Sequence, residues 1–114
     1  MTTIYHNPRC SKSRASLEML EAKGITPDII KYLETPPTRE ELADVLNKLG
    51  LKAEQVVRKG EALYKELGLA EKTLSNDEWI SVLVDNPQLM ERPIVVNGDK
   101  AAIGRPIEAV INIL

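Results

Sequence analysis

The chain has one cysteine and one histidine among its 114 residues. A lone cysteine excludes an internal disulfide. One Cys and one His cannot supply the four ligands of a structural zinc site. An excess of either charge is also missing: 15 Lys+Arg face 17 Asp+Glu, a formal net charge of −2. Nucleic-acid binders carry a basic excess, so a nucleic-acid partner is not expected. An anionic small substrate stays open, because a few arginines can set the field of a cleft. No apolar run approaches a membrane span, and residues 1–15 lack the apolar core of a signal peptide. The expectation is a cytoplasmic protein with no membrane partner.

What is present is an ordinary globular composition, 43% hydrophobic and 28% charged. The length suits one domain, 1–114, around one core. Residues 2–6, TTIYH, read as a strand that Asn7 and Pro8 break. From Cys10 to Lys23 the spacing of Ala15, Leu17 and Leu20 predicts a helix, stopped by Gly24. Asp28 to Leu33 reads as a second strand, closed by Pro36-Pro37. This is a βαβ unit, so the two strands should be parallel.

A helical insertion over 38–87 follows. Thr38 with Glu41, and Ser75 with Glu78, form capping boxes that open helices ending at Gly50 and at Asn86-Pro87. Between them, short helices are expected over Ala53 to Lys59 and around Leu63 and Leu67, before Gly68. Ile94 to Val96 and Ala101 to Ile103 read as a hairpin turning at Asn97-Gly98. Pro106 should sit in the first turn of a last helix that buries Ile107, Val110, Ile111 and Leu114. The order β-α-β, insertion, β-β-α predicts an α/β thioredoxin-like fold with a four-stranded mixed sheet.

In such folds the start of the first helix holds the chemistry, and here it reads "YHNPRCSKSR". Only a thiolate attacks, and a free thiol titrates near about 8.5. Helix-start amides and nearby cations lower that value. His6, Arg9, Lys12 and Arg14 surround Cys10, and the loop amides could cradle an oxyanion. A small buried core cysteine is the bland alternative, but Arg9, Ser11, Lys12 and Ser13 make poor core company. Ser13 stands where a redox Cys-x-x-Cys has its second thiol, so any resolving thiol must come from another molecule. A Cys-x5-Arg phosphatase loop is absent.

Three arginines lie in odd settings. Arg58 follows Val56-Val57, Arg92 precedes a proline and a core strand, and Arg105 sits between Gly104 and Pro106. Guanidinium forks suit tetrahedral oxyanions. Each could instead be a solvated charge or a partner for Glu61, Glu91 or Glu108. Pro93 occupies the place where thioredoxin-like folds keep a cis-proline facing the active cysteine, which makes it a cis candidate.

"IYHNPRCSKSR", "YLETPPTREEL", "VVRKGEALYKELGLAE", "NPQLMERPIVV" and "IGRPIEAVINIL" together resemble the glutaredoxin-linked arsenate reductase (ArsC) family, in its short bacterial form. The resemblance runs along nearly the whole chain. It implies Cys10 as catalytic nucleophile, His6 as the group that helps depress the thiol's pKa, and Arg58, Arg92 and Arg105 as the oxyanion holders. It places Ser13 close enough to hydrogen-bond the sulfur. It also implies no bound cofactor or metal, glutathione as co-substrate, glutaredoxin as partner, and a monomer. Two other readings share these residues. Transcriptional regulators resembling Spx have this fold and bind RNA polymerase, some through a Cys-x-x-Cys switch that Ser13 removes here. A glutathione-dependent thiol transferase would turn over mixed disulfides without arsenate.

Overall fold

The computed structural model describes residues 1–114. In chain order the elements are β1 (Thr2–Tyr5), α1 (Ser11–Ala22), β2 (Asp28–Ile30), α2 (Arg39–Leu49), α3 (Ala62–Glu66), α4 (Asn76–Asp85), β3 (Ile94–Asn97), β4 (Lys100–Ile103) and α5 (Ile107–Ile111). Single 3-10 turns occur at Ala53–Val56, Leu69–Glu71 and Pro87–Leu89. The chain forms two compact units, Met1–Pro36 with Arg92–Leu114, and Pro37–Glu91. No helix is long and apolar enough to cross a membrane.

The first unit is built on a four-stranded sheet of order β2-β1-β3-β4. β1 runs parallel to β2 and antiparallel to β3, and β3 runs antiparallel to β4. This is a thioredoxin-like sheet. Ile4 pairs with Val95, and Val95 with Ala102, so the three stand in one row across the sheet. Leu20 of α1 and Val110 of α5 close over that row, and all five side chains are buried. Each fully buried aliphatic side chain of this kind stabilises by about 1.5–3 kcal/mol.

Several elements differ from the sequence expectation. β2 stops at Ile30 instead of Leu33, because the amides of Glu34 and Thr35 both turn back to the Lys31 carbonyl at 2.9 Å. Tyr32 is therefore a turn residue, and its side chain is wholly buried. α1 buries Ser13, Ser16 and Leu20, while Ala15 is exposed. Small residues are needed on that face, because a Cβ at Gly104 would lie 2.6 Å from Ser16 Oγ and 2.8 Å from Pro93 Cγ. The backbone at Gly104 comes too close for any side chain there.

The β3–β4 turn is Gly98-Asp99, since Asn97 pairs with Lys100, and only Gly98 has positive φ, +62°. Pro106 caps α5 in extended conformation and the helix starts one residue later. α5 spans five residues, little more than one turn, so it buries Val110 alone. Ile111 and Leu114 stay exposed.

The second unit is helical and locally specified. Both capping boxes form: the Glu41 amide donates to Thr38 Oγ1 at 3.1 Å and the Thr38 amide to Glu41 Oε1 at 2.9 Å. The Ser75–Glu78 pair repeats this at 3.2 and 3.0 Å. α2 buries Leu42, Val45 and Leu46, ends at Gly50 with φ +70°, and packs on α4. α4 buries Trp79, Ile80 and Leu83. The helix expected over Ala53 to Lys59 is a 3-10 turn ending at Val56. Val57 is extended and bridges to Met90, while the Arg58 amide donates to the Leu89 carbonyl at 2.7 Å. β-branched Val56-Val57 favours that pairing over continued helix.

Candidate active site

The loop from β1 into α1 is fastened from both ends. The His6 amide donates to the Ile30 carbonyl at 2.8 Å, and the Cys10 amide to the Asn7 carbonyl at 3.0 Å. The Asn7 amide donates to Ser13 Oγ at 3.0 Å, and Asn7 Oδ1 accepts from the Arg9 amide at 3.0 Å. Arg14 Nη1 clasps the Pro8 carbonyl at 2.9 Å. The Arg14 amide bonds the Cys10 carbonyl at 3.0 Å, the first helical bond of α1. Cys10 is thus the N-cap residue, in extended conformation (φ −95°, ψ 122°), and is only 8% exposed.

Two guanidinium groups meet that sulfur. Arg105 Nη2 donates to Cys10 Sγ at 3.4 Å, and Arg105 Nε donates to the Arg92 carbonyl at 2.8 Å. The Arg92 side chain also lies close enough to the sulfur to lower its pKa. Burial by itself pushes the thiol pKa up. The Arg92 hydrogen bond, the Ser13 and Lys12 amides and the Arg92 charge outweigh it, and the Cys10 thiol lies below its ordinary value. The Arg92–Pro93 peptide is cis, and so is Arg105–Pro106. Pro93 is buried at the head of β3, its carbonyl accepting the Gly104 amide at 2.9 Å.

His6 and Ser13 stand together beside the loop. His6 Nδ1 and Ser13 Oγ share a hydrogen bond of 2.6 Å. Burial first, then the charges of Lys31 and Arg14, holds the His6 imidazole below its usual pKa. This favours the uncharged imidazole, so the thiol's cationic neighbours are the guanidinium groups. The His6 contact holds the Ser13 side chain. The Ser13 hydroxyl is committed to His6 and the Asn7 amide, so the group of Ser13 that faces the sulfur is its backbone N–H.

Arg58 belongs to the second unit. Its Nη1 is paired with Glu61 Oε1 at 2.6 Å, one helical turn along the chain, with both side chains partly buried. The residue that sequence reasoning missed is Tyr32. Its buried hydroxyl stands among Arg92, Asn7 and Cys10. Its only signal in the sequence is a hydroxyl-bearing aromatic just before a Pro-Pro stop.

A cavity of about 280 Å³ opens beside the loop, lined by His6 to Arg9 and by Lys31, Leu33 and Glu34. No group of three or more His, Cys, Asp or Glu side chains is placed to hold a metal ion. The arrangement can hold a thiolate and present fixed positive charge to an anion bound at it.

Comparison with known proteins agrees with this site. An "Arsenate reductase" of Neisseria meningitidis serogroup A is 52% identical over 97% of this chain and 96% of its own length. "Uncharacterized protein YfgD" of Escherichia coli K12 is 53% identical over 97% and 94%. The structure of an arsenate reductase from Vibrio cholerae superposes with a TM-score of 0.94 at 49% identity, covering 99% of this chain and 97% of that one. The ArsC family model matches residues 5–113, from the strand before the cysteine loop to the last turn of the chain. A buried cysteine capping α1, met by arginines on either side of the β3–β4 hairpin, is thus set in a chain that belongs to the ArsC family.

Proposed function

We propose that the protein is a thiol-dependent oxidoreductase that reduces arsenate to arsenite. The observation that carries this reading is the pair of guanidinium groups, Arg92 and Arg105, on the sulfur of Cys10 at the start of α1. Relatives named arsenate reductase, 52% and 49% identical, support the choice of substrate.

The Cys10 thiolate displaces one oxygen of arsenate, which takes up protons and leaves as water. Arg92 and Arg105 neutralise the charge on the remaining oxygens as fixed electrostatic groups. The family resemblance also assigns Arg58 to the oxyanion, an assignment that substitution tests. A glutathione thiolate displaces a second oxygen, which likewise leaves as water, and As(V) is then bound to two sulfurs. A glutaredoxin thiolate then attacks the glutathione sulfur, and the S–As electron pair stays on arsenic. As(V) becomes As(III), and the oxidised sulfur departs in the glutathione–glutaredoxin disulfide. Water cleaves the remaining Cys10–As(III) bond and releases arsenite. Neutral His6 keeps Ser13 and the helix-start amides in place rather than charging the thiol's surroundings. The chain needs no resident cofactor for these steps, acts as a monomer in the cytoplasm, and has glutathione and glutaredoxin as its partners.

The test is NADPH oxidation coupled through glutathione reductase, glutathione and glutaredoxin, with and without arsenate. Arsenate-dependent turnover is expected in the wild type and lost in Cys10→Ser. Turnover surviving that substitution excludes the nucleophile. Turnover of a mixed disulfide without arsenate dependence demotes the substrate and favours a thiol transferase.

A further inference from the structure

Tyr32 presents a problem of polar accounting. It is 0% exposed, and its hydroxyl is a buried oxygen that closes no regular hydrogen bond. Buried polar groups are nearly always satisfied, so such an oxygen calls for an explanation. The groups around it are the Arg92 guanidinium and the Asn7 carboxamide, both able to donate to it, and the Cys10 sulfur. Asn7 is itself locked into the cysteine loop by its backbone amide and by its Oδ1. Arg92 is the cation that bonds the sulfur.

We infer that Tyr32 is a positioning residue whose buried, uncharged hydroxyl anchors the Arg92 guanidinium against the Cys10 sulfur. The inference rests on the proposed thiolate chemistry of Cys10 and assigns a group that sets its strength. The charge of the anchor matters. A carboxylate at this place would pair with Arg92 and cancel its field, as Glu61 pairs with Arg58 in the second unit. A phenol restrains the guanidinium without itself opposing its charge. Burial raises the Tyr32 pKa against the opposing influence of nearby Arg92 and Asn7, which favours the neutral hydroxyl. The charged or titratable groups facing Cys10 are Arg92, Arg105 and Tyr32, with neutral His6 behind Ser13.

The test reads the thiol directly and needs no arsenate. The rate of Cys10 alkylation by iodoacetamide is measured against pH in the wild type, Tyr32→Phe, Arg92→Ala and the double variant. Phe keeps the ring and removes only the oxygen. One hydrogen bond of ordinary worth corresponds to an upward shift of about half to one pH unit. The expected results are a low wild-type midpoint, that shift in Tyr32→Phe, and no further shift when Tyr32→Phe is added to Arg92→Ala. A folded Tyr32→Phe with an unchanged midpoint overturns the inference, as does an equal shift when Arg92 is absent. A wild-type midpoint in the ordinary thiol range overturns the thiolate reading itself, a different failure. If Tyr32→Phe does not fold, NMR of the wild-type Arg92 side chain decides. Hindered rotation of its guanidinium is expected, and free rotation overturns the anchor.

Discussion

Two arginine-bearing regions of this chain treat the same side chain in opposite ways. In the second unit Arg58 meets a carboxylate three residues away, and its charge is neutralised locally by Glu61. In the first unit Arg105 reaches a sulfur 95 residues away in sequence, and Arg92 reaches the same atom. Arg92 and Arg105 flank the β3–β4 hairpin, which brings both side chains to the helix-start sulfur. A cation with a nearby carboxylate is a structural element. A cation carried to a buried thiol by strand pairing keeps its field for chemistry. The same contrast holds for the elements. The second unit is started and stopped by capping boxes and left-handed glycines. The first depends on long-range strand pairing.

The comparison is broken most severely by Arg92→Ala. It removes a hydrogen bond and a charge from the sulfur. Arsenate-dependent kcat/KM should fall by about 10²–10³-fold, the usual cost of losing one preorganised donor. Arg58→Ala should cost less, because that guanidinium already carries a carboxylate partner. Steady-state kinetics of the two variants rank them, and an equal loss would erase the distinction drawn here.

Gly104→Ala should come next. Its new methyl would meet Ser16 Oγ at 2.6 Å and Pro93 Cγ at 2.8 Å, where little can give. Overpacking of this kind costs about 1–3 kcal/mol. Denaturant unfolding checks it, and adding Ser16→Ala should return part of the loss. The smallest effect belongs to the second unit. Thr38→Ala removes one side of a capping box. It should cost about 1 kcal/mol, with the pH profile of Cys10 alkylation unchanged.

The same division governs what could be read from the sequence. Capping boxes, glycine stops and a cysteine at a helix start are local patterns, and the structure has them where those patterns predict. The parallel β1–β2 pair followed from a βαβ unit, and the antiparallel β3–β4 pair from a terminal hairpin. What was not legible depends on contacts made across the fold. β2 looked longer because Tyr32 and Leu33 are good strand residues, yet the turn at Lys31 puts Tyr32 beside Arg92. Val56-Val57 looked helical until Met90 offered a backbone partner. His6 looked like a cation for the thiolate, but burial and Lys31 keep it neutral. Ser13 was expected close enough to bond the sulfur, and it does so through its backbone amide, its hydroxyl being engaged with His6 and the Asn7 amide. Arg58, Arg92 and Arg105 were equally conspicuous in the sequence, and nothing local told the one that pairs with Glu61 from the two that reach the Cys10 sulfur.

The central claim is that fixed guanidinium and amide donors hold Cys10 as a thiolate at neutral pH. Its most direct test is the pH dependence of Cys10 alkylation in the wild-type protein. The alkylation rate should rise with pH through a midpoint below the roughly 8.5 of a free thiol and then level off. A midpoint at or above that value would contradict the account.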